Sequence, residues 1–387
     1  MQSLKRHLKN VFFAPQLDRL IKANPAGTHT AASISAAAFD FVMSCKSPAG
    51  DGFCFTSRSK TVDIYSTSYA IALLGLIGRL DSLSLSERKA IADRIHALQC
   101  DDGLYRDPNL VSPVAETGQG WGWMHLLPHV LIALDYLEDV PHKPLLYALR
   151  AFDQLSPEDW YSQKVEKDQL TASNEFMNVV TALQYSRDFA GASEAAPTIS
   201  SLLDVAERLV HQYAEGARND NVFLRSKHVK SIYHLIPNMI YDRTVSPAMA
   251  ANIRSAAEAT QTKRGSFGTT VIADACEDID SIYLISLLID SDRSATKTLN
   301  AATAYLPVNS NSDGGFVFRR FFPFCYGQCP ALSSDKDESN LFATWFRVLA
   351  YAFADNAIQI AEHGAPSKAW RFSRMPGYQF WPQVSIA

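Results

Sequence analysis

Four carboxylates lie within seven residues at the head of an apolar stretch, in the sequence DACEDIDSIYLISLLID at positions 274–290. They are Asp274, Glu277, Asp278 and Asp280. On a helix, Asp274 and Asp278 share one face, and Glu277, Asp280 and Ser281 share another. Carboxylates packed this densely repel one another, and an apolar setting raises the pKa of at least one of them. Such a carboxyl keeps its proton near neutral pH and can serve as a general acid.

An acid that faces an apolar cavity has few chemical tasks open to it. Protonating an alkene or an epoxide, which starts a carbocation reaction, is one of them. Aromatic rings can stabilise such cations through their π-faces. The candidate aromatic residues are Tyr65, Trp121, Trp123, Phe267, Tyr283 and Phe316.

Basic residues near glycine turns offer a place for an anionic headgroup. The candidates for holding a diphosphate are Arg58, Lys60, Arg264 and Arg319. The aspartates of DDGLYRD (101–107) lie in a turn rather than on a helix, so metal-triggered ionisation is not expected. We therefore expect no cofactor, with Mg²⁺ needed only if the substrate carries a diphosphate. A net charge of -4 argues against nucleic acid as a partner.

The elements that must position these residues form a repeat. Glycine turns recur along the chain, and each is followed by an apolar helix that reads as buried on both sides. Counting two weaker copies, the predicted inner helices are 63–76, 116–137, 173–186, 226–242, 277–289 and 338–352.

A second, amphipathic set of helices alternates with the first. The predicted outer helices are 30–45, 86–98, 144–155, 199–214, 246–260 and 294–306. Six pairs of one buried and one amphipathic helix predict an all-α fold, an (α/α)6 barrel or toroid. An open helical solenoid of the same repeats is the alternative.

The chain divides into an N-terminal amphipathic segment, 1–28, and a single barrel, 29–387. The segment either packs on the barrel or contacts a membrane surface, since apolar residues stand beside basic ones. Those apolar residues are Leu4, Val11, Phe12, Phe13 and Leu17. The six cysteines follow no paired framework and read as reduced thiols, so we expect a cytoplasmic protein, peripheral to a membrane if the segment binds one.

DIDSIYLISLL (278–288) resembles the D-x-D-D motif of class II terpene cyclases, whose middle aspartate is the proton donor. The glycine turns resemble the repeats that these cyclases, including squalene–hopene cyclase-like proteins, share with protein prenyltransferase β-subunits. The resemblance implies that Asp280 is the acid and that Asp278, Glu277 and Ser281 set its proton affinity. Ser281 replaces the last aspartate of the motif. Oxidosqualene cyclases keep only the middle aspartate and follow it with another hydrogen-bonding residue that is not a carboxylate.

The function that this resemblance implies is a proton-initiated terpene cyclase, an isomerase that acts on a linear isoprenoid or isoprenoid-tailed substrate of about C15 to C20. Two-domain cyclases hold the chain between two barrels. Here a single toroid must hold it alone, or a partner subunit or a second copy must close the site. His125 or His234 could hydrogen-bond to the acid.

Two other functions stay open. A carbohydrate-active toroid would need a second essential acid, with candidates at Asp63, Glu116, Glu175 and Glu338. A non-catalytic binding toroid would keep the architecture without needing the acid. Zinc chemistry is disfavoured, because Ser66 stands where prenyltransferases have a histidine and no Cys-His pair follows Cys325 and Cys329.

Overall fold

The computed structural model describes residues 2–25, 27–112, 122–219, 221–287 and 293–382. This part of the chain is built almost entirely from α-helices. Its one two-stranded sheet pairs β1 (Phe324–Cys325) with β2 (Ser333–Ser334) in antiparallel fashion. The predicted all-α class is therefore confirmed.

Six helices form a closed inner ring. They are α3 (Ile64–Leu76), α5 (Trp123–Tyr136), α8 (Gln169–Phe189), α10 (Val222–Asp242), α12 (Ala275–Leu287) and α14 (Leu341–His363). Each packs against the next in chain order, and α14 packs against α3 to close the ring. Closure confirms the toroid and excludes the open solenoid. Each of the six corresponds to a predicted inner helix, although residues 116–121 of the second lie outside the described part of the chain.

The remaining helices surround this ring. They are α1 (Gln2–Ala23), α2 (Ala31–Ser44), α4 (Leu85–Ala97), α6 (Leu146–Leu149), α7 (Pro157–Val165), α9 (Ala196–Gly216), α11 (Pro247–Glu258) and α13 (Arg293–Tyr305). Hydroxyl caps set several of their starts; Ser84, for example, forms a reciprocal capping box with Glu87 before α4.

One predicted outer helix, 144–155, is wrong for most of its length. Only the single turn of α6 forms there. The outer helix that packs against α8 is α7, which begins just after the predicted range. The reason is a stronger start signal at 156–157. The Ser156 side chain accepts a hydrogen bond from the Asp159 backbone N–H, and Pro157 occupies the first helical position.

The glycine turns share one geometry, which confirms the repeat. Gly103, Gly265 and Gly314 have φ values of 88°, 93° and 84°. A Cβ at these three positions would lie 2.3, 2.2 and 2.1 Å from the carbonyl oxygens of Pro144, Ala301 and Ala37. Each turn therefore requires glycine for two reasons: its backbone is left-handed, and a side chain would collide with another part of the chain.

The residue after each glycine turn is fastened to the next inner helix. In three repeats an aromatic residue donates its backbone N–H to the side chain at the fourth position of that helix, over 3.1, 3.0 and 2.9 Å. The pairs are Phe53 with Thr67 of α3, Phe267 with Asp278 of α12, and Phe316 with Thr344 of α14. Asp278 thus occupies a position that the fold uses for anchoring a turn.

The N-terminal helix α1 packs on the barrel. Leu17 is fully buried beside Ala273, and the Phe13 ring stacks on Phe321 with centroids 5.1 Å apart. Val11 and Phe12 stay 61% and 65% exposed. Of the apolar residues considered for membrane contact, Phe13 and Leu17 thus pack against the barrel. No helix in the described ranges is long and apolar enough to cross a bilayer.

The C-terminal segment, 365–382, crosses the ends of the inner helices. The Arg371 backbone N–H donates to the carbonyl of Leu76, the last residue of α3, over 2.8 Å. The buried Gln379 side chain donates to the Ala72 carbonyl and accepts from the Trp345 indole N–H. The segment therefore covers the end of the ring where the inner helices finish.

Candidate functional site

A cavity of about 220 Å³ lies inside the ring. Its walls come from α5, α8, α10, α12 and α14, from Phe318 and from the C-terminal segment. The rings of Phe318, Phe342 and Phe346 make part of its wall aromatic. Asp280 and Lys230 line the same cavity, so charged and aromatic side chains meet in one space.

Asp280 is the carboxyl that faces this cavity without a partner. It is 3% exposed, and no group in the described ranges hydrogen-bonds to its carboxyl oxygens. Burial raises its pKa well above the ordinary range. The nearby carboxylates add to this effect, while the ammonium of Lys230 opposes it. Burial therefore favours the protonated form of Asp280.

The repeat shows what is unusual about Asp280. It is the sixth residue of α12, and the sixth residues of α3 and α14 are Tyr69 and Phe346. Both of these aromatic residues are buried in the ring, and Phe346 lines the cavity. An acid therefore occupies a position where two sister repeats place an aromatic ring.

A network of charges surrounds the acid. Arg319 Nη2 lies 2.5 Å from Asp274 Oδ2 and 3.4 Å from Glu277 Oε2. Lys230 Nζ lies 3.6 Å from Glu277 Oε1. Two cations thus face two acids besides Asp280. An ionised Asp280 would leave this network with an unbalanced negative charge, which favours the protonated form.

Asp278 belongs to a separate, fully buried ion pair. Its Oδ2 lies 2.5 Å from Arg347 Nη1, and its Oδ1 accepts the Phe267 backbone N–H. Burial raises the pKa of Asp278 to about 6, against the attraction of Arg347. Asp278 does not line the cavity, so it acts on Asp280 only through its charge.

Ser281 does not take part as the D-x-D-D comparison implies. Its hydroxyl lies 3.1 Å from the Thr260 hydroxyl, just past the end of α11, and it does not line the cavity. Successive residues of a helix are rotated by about 100°, so the residue after Asp280 faces the outer layer. This corrects the prediction that Ser281 helps to set the proton affinity of Asp280.

Most of the predicted aromatic residues lie away from the cavity. Tyr65 and Trp123 line a separate space of about 20 Å³. Phe267, Tyr283 and Phe316 are core residues that line neither space. Trp121 lies outside the described residues.

The aromatic wall instead comes from residues that the sequence did not single out. They are Tyr233, Phe318, Phe342, Phe346 and Tyr378. Phe342 and Phe346 are one helical turn apart in α14, and this spacing is the signal that could have found them.

None of the four predicted headgroup residues lines the cavity. Arg58 is 67% exposed and paired with Asp335 and Glu338, and Lys60 is exposed as well. Arg264 pairs with Asp18 of α1 over 2.7 Å. Arg319 pairs with Asp274 and Glu277 and does not line the cavity. Lys230 lines the cavity, yet the sequence did not single it out. Helix α10 follows no glycine turn, and the polar residues near its start are typical of a solvent-exposed helix face.

The two candidate histidines line the cavity but do not bond to the acid. His125 Nδ1 lies 2.7 Å from the Tyr326 hydroxyl, and neither ring contacts the Asp280 carboxyl through a hydrogen bond. Burial lowers the pKa of both His125 and His234 to about 3. Both rings are therefore neutral at neutral pH, and they add to the uncharged wall.

The acids considered for a carbohydrate enzyme do not face Asp280. Asp63 caps α3 by accepting the Ser66 backbone N–H over 2.7 Å. Glu175 pairs with Lys164, and Glu338 pairs with Arg58. None of these three lines the cavity, and Glu116 lies outside the described ranges. The described carboxyls of the cavity, Asp274 and Asp280, both come from the same end of α12 and do not form a pair across a substrate.

Comparison with known proteins supports the fold. The sequence model of the family described as "Prenyltransferase alpha-alpha toroid domain" matches residues 5–112. This confirms the resemblance to the fold family that squalene–hopene cyclase-like proteins share, and this family contains enzymes. Among curated proteins and solved structures, none is significantly similar to the chain. The matched residues end well before α12, so the family match carries no information about Asp280.

Proposed function

We propose that this protein is a proton-initiated terpene cyclase. Asp280 gives its proton to an alkene or epoxide of a linear isoprenoid held in the barrel cavity, and the chain then cyclises through carbocations. The observation that carries the proposal is a buried carboxyl with a raised pKa, without a hydrogen-bond partner among the described residues, that lines one cavity together with three phenylalanine rings.

Proton transfer is the first step. The Asp280 O–H bond breaks, and the proton adds to the terminal double bond or to the epoxide oxygen. The positive charge then left on carbon is attacked by the π-electrons of an internal double bond, which closes a ring. Loss of a proton from carbon ends the sequence, so the product is an isomer of the substrate. The carboxylate formed on Asp280 is stabilised by Lys230, whose attraction favours the charged form.

The aromatic wall gives the cationic intermediates their surroundings. The Phe318 and Phe342 centroids are 5.8 Å apart, and those of Phe342 and Phe346 are 4.6 Å apart. These rings line the same cavity as the acid, from the neighbouring helix α14 and the loop before it, where they can stabilise positive charge without reacting with it. An apolar wall also keeps water from capturing the cation.

The volume of the cavity limits the length of the reacting chain. An engineered protein cavity of about 150 Å³ holds benzene, so about 220 Å³ holds roughly nine or ten non-hydrogen atoms. This favours a reacting portion of about ten carbons, shorter than the C15 to C20 chain expected from the sequence. Burying ten carbons contributes at most ~8 kcal/mol to binding before the cost of association.

A single chain supplies all of the parts. Asp280, Lys230 and the aromatic wall belong to one ring of helices, and the C-terminal segment covers one end of it. The proposed reaction therefore draws none of these groups from a partner subunit.

The proposal is tested by the substitution Asp280→Asn. Purified protein is incubated with C10, C15 and C20 isoprenoid hydrocarbons, alcohols and epoxides, and cyclic isomers are sought by gas chromatography with mass spectrometry. We expect a cyclic isomer from the wild type and a rate at least ~100-fold lower from Asp280→Asn, because general acids contribute about that much or more. Binding of a saturated C10 chain should be retained.

Asp93→Asn, on the exposed face of α4, is the matched control and should keep wild-type activity. The proposal fails if Asp280→Asn forms product at the wild-type rate, or if the wild type cyclises no member of the panel.

A further inference from the structure

Lys230 lines the cavity, and its ammonium group has no hydrogen-bond partner among the described residues. Its closest described acidic oxygen, Glu277 Oε1, is 3.6 Å away, which is too long for a hydrogen bond. No other described group accepts a hydrogen bond from it, and its side chain is only 20% exposed. An ammonium has three N–H donors, so Lys230 can donate to a bound molecule without breaking a contact.

Tyr233 lines the same cavity from the same helix. It follows Lys230 by three residues, so the two side chains share one face of α10. Tyr233 is 1% exposed, and its hydroxyl has no hydrogen-bond partner within the described part of the chain. Burial raises the pKa of Tyr233, and Tyr233 and Asp280 line the same cavity. A buried hydroxyl without a partner calls for an explanation, and a ligand oxygen supplies one.

The charges around Lys230 decide what kind of oxygen it takes. Lys230 and Arg319 already balance Asp274 and Glu277. A phosphate or diphosphate would bring an unbalanced negative charge into this partly buried network, beside two acids. A neutral oxygen brings no such charge and still accepts hydrogen bonds.

We propose that Lys230 and Tyr233 form a binding site for a neutral acceptor oxygen, such as an ether, epoxide, carbonyl or hydroxyl oxygen, carried by the substrate next to Asp280. The substrate is thus an oxygenated isoprenoid, neither a plain hydrocarbon nor a diphosphate. That the chain is isoprenoid rests on the proposed function, whereas the oxygen site rests on the contacts of Lys230 and Tyr233.

The test measures binding of three saturated probes with one carbon skeleton. Dimethyloctane, dimethyloctanol and dimethyloctyl phosphate are titrated into the full chain, with binding followed by calorimetry. We expect the wild type to bind the alcohol about tenfold more tightly than the hydrocarbon, the gain typical of a hydrogen bond to a charged donor. Lys230→Met should remove most of this preference.

Lys60→Met, at an exposed lysine, is the matched control and should leave the preference unchanged. Thermal unfolding checks that each variant is folded. If Lys230→Met does not fold, Tyr233→Phe removes one donor with little change in volume and should reduce the preference by itself.

Two results would overturn the inference. One is equal binding of the alcohol and the hydrocarbon by the wild type. The other is tightest binding of the phosphate ester, lost in Lys230→Met, which would make this an anion site. Because saturated probes cannot be cyclised, these results are independent of turnover. Failure of the Asp280→Asn test would remove the cyclase function and leave the oxygen site standing.

Discussion

Asp278 and Asp280 are two residues apart in α12 and have opposite environments. Asp278 accepts a backbone N–H and pairs with a buried arginine, so both of its oxygens have partners. Asp280 has no such partner and faces the cavity. A carboxyl without partners in an apolar setting is a poor contributor to stability and a good proton donor, and this contrast assigns the chemistry to Asp280.

The stability of Asp280→Asn should depend on pH in a defined direction. Because burial raises the pKa of Asp280 in the folded protein, the unfolded chain releases this proton first as pH rises. The wild type therefore loses stability between the ordinary aspartate pKa, about 3.9, and the folded value. Asparagine does not titrate, so the variant should gain stability relative to the wild type over this window. Urea unfolding at pH 4 to 8 measures the unfolding free energy of the variant minus that of the wild type, and a value that falls as pH rises would contradict this.

For single residues, the sequence predicts the identity of the acid, Asp280, better than it predicts which residues surround it. Crowded carboxylates before an apolar helix indicate a raised pKa, and the motif comparison singles out Asp280. The direction of the Ser281 side chain and the position of Lys230 on the cavity wall depend on how α12 and α10 are rotated about their axes against their neighbours. One sequence does not specify those rotations, because both residues are compatible with a solvated helix face.

Helices α12 and α14 are joined by the buried pair of Asp278 and Arg347. The arginine also donates to the carbonyls of Ala273, Val317 and Phe318, over 3.1, 3.1 and 2.9 Å. These carbonyls lie in the loops that precede α12 and α14. Arg347 therefore holds in place both the start of the acid's helix and the loop that carries Phe318 into the cavity.

Breaking this pair should destabilise the whole barrel. Asp278→Asn leaves the fully buried Arg347 without its carboxylate, and removing one member of a buried ion pair costs about 3–5 kcal/mol of unfolding free energy. Asp280→Asn breaks no pair and should cost far less at neutral pH. Urea unfolding of the two variants side by side tests the assignment of roles. Equal destabilisation, or a larger loss in Asp280→Asn, would contradict it.

The helices themselves were largely predictable. Asp63 and Asn340 cap α3 and α14, and long apolar runs follow each, so propensity and pattern agree. The failure at 144–155 has a local cause, because an apolar run without a cap competes with the capped start at Ser156. The aromatic wall was missed for a related reason. Periodicity shows that a side chain is buried, yet it does not distinguish a core position from a cavity wall.

The whole molecule is a closed ring with one end covered by its own C-terminal segment. Closure follows from six helix pairs, and the sequence predicted it. The covering segment shows no helical or strand periodicity, so its place could not be read from the sequence. Tyr378 from this segment lines the cavity, and its hydroxyl accepts a hydrogen bond from the Asn174 amide over 3.2 Å. The segment thus limits the cavity volume, which is why the favoured reacting chain is shorter than the sequence alone suggested.

The central claim is that Asp280 carries its proton at neutral pH in the folded barrel. Titration of ¹³C-labelled aspartate carboxyls by NMR, in the wild type and in Asp280→Asn, identifies its signal by difference. We predict that this signal stays at the position of a protonated carboxyl through neutral pH, with a midpoint well above the ordinary value of about 3.9. A midpoint below neutral pH would show that Asp280 is ionised at neutral pH and would contradict the account.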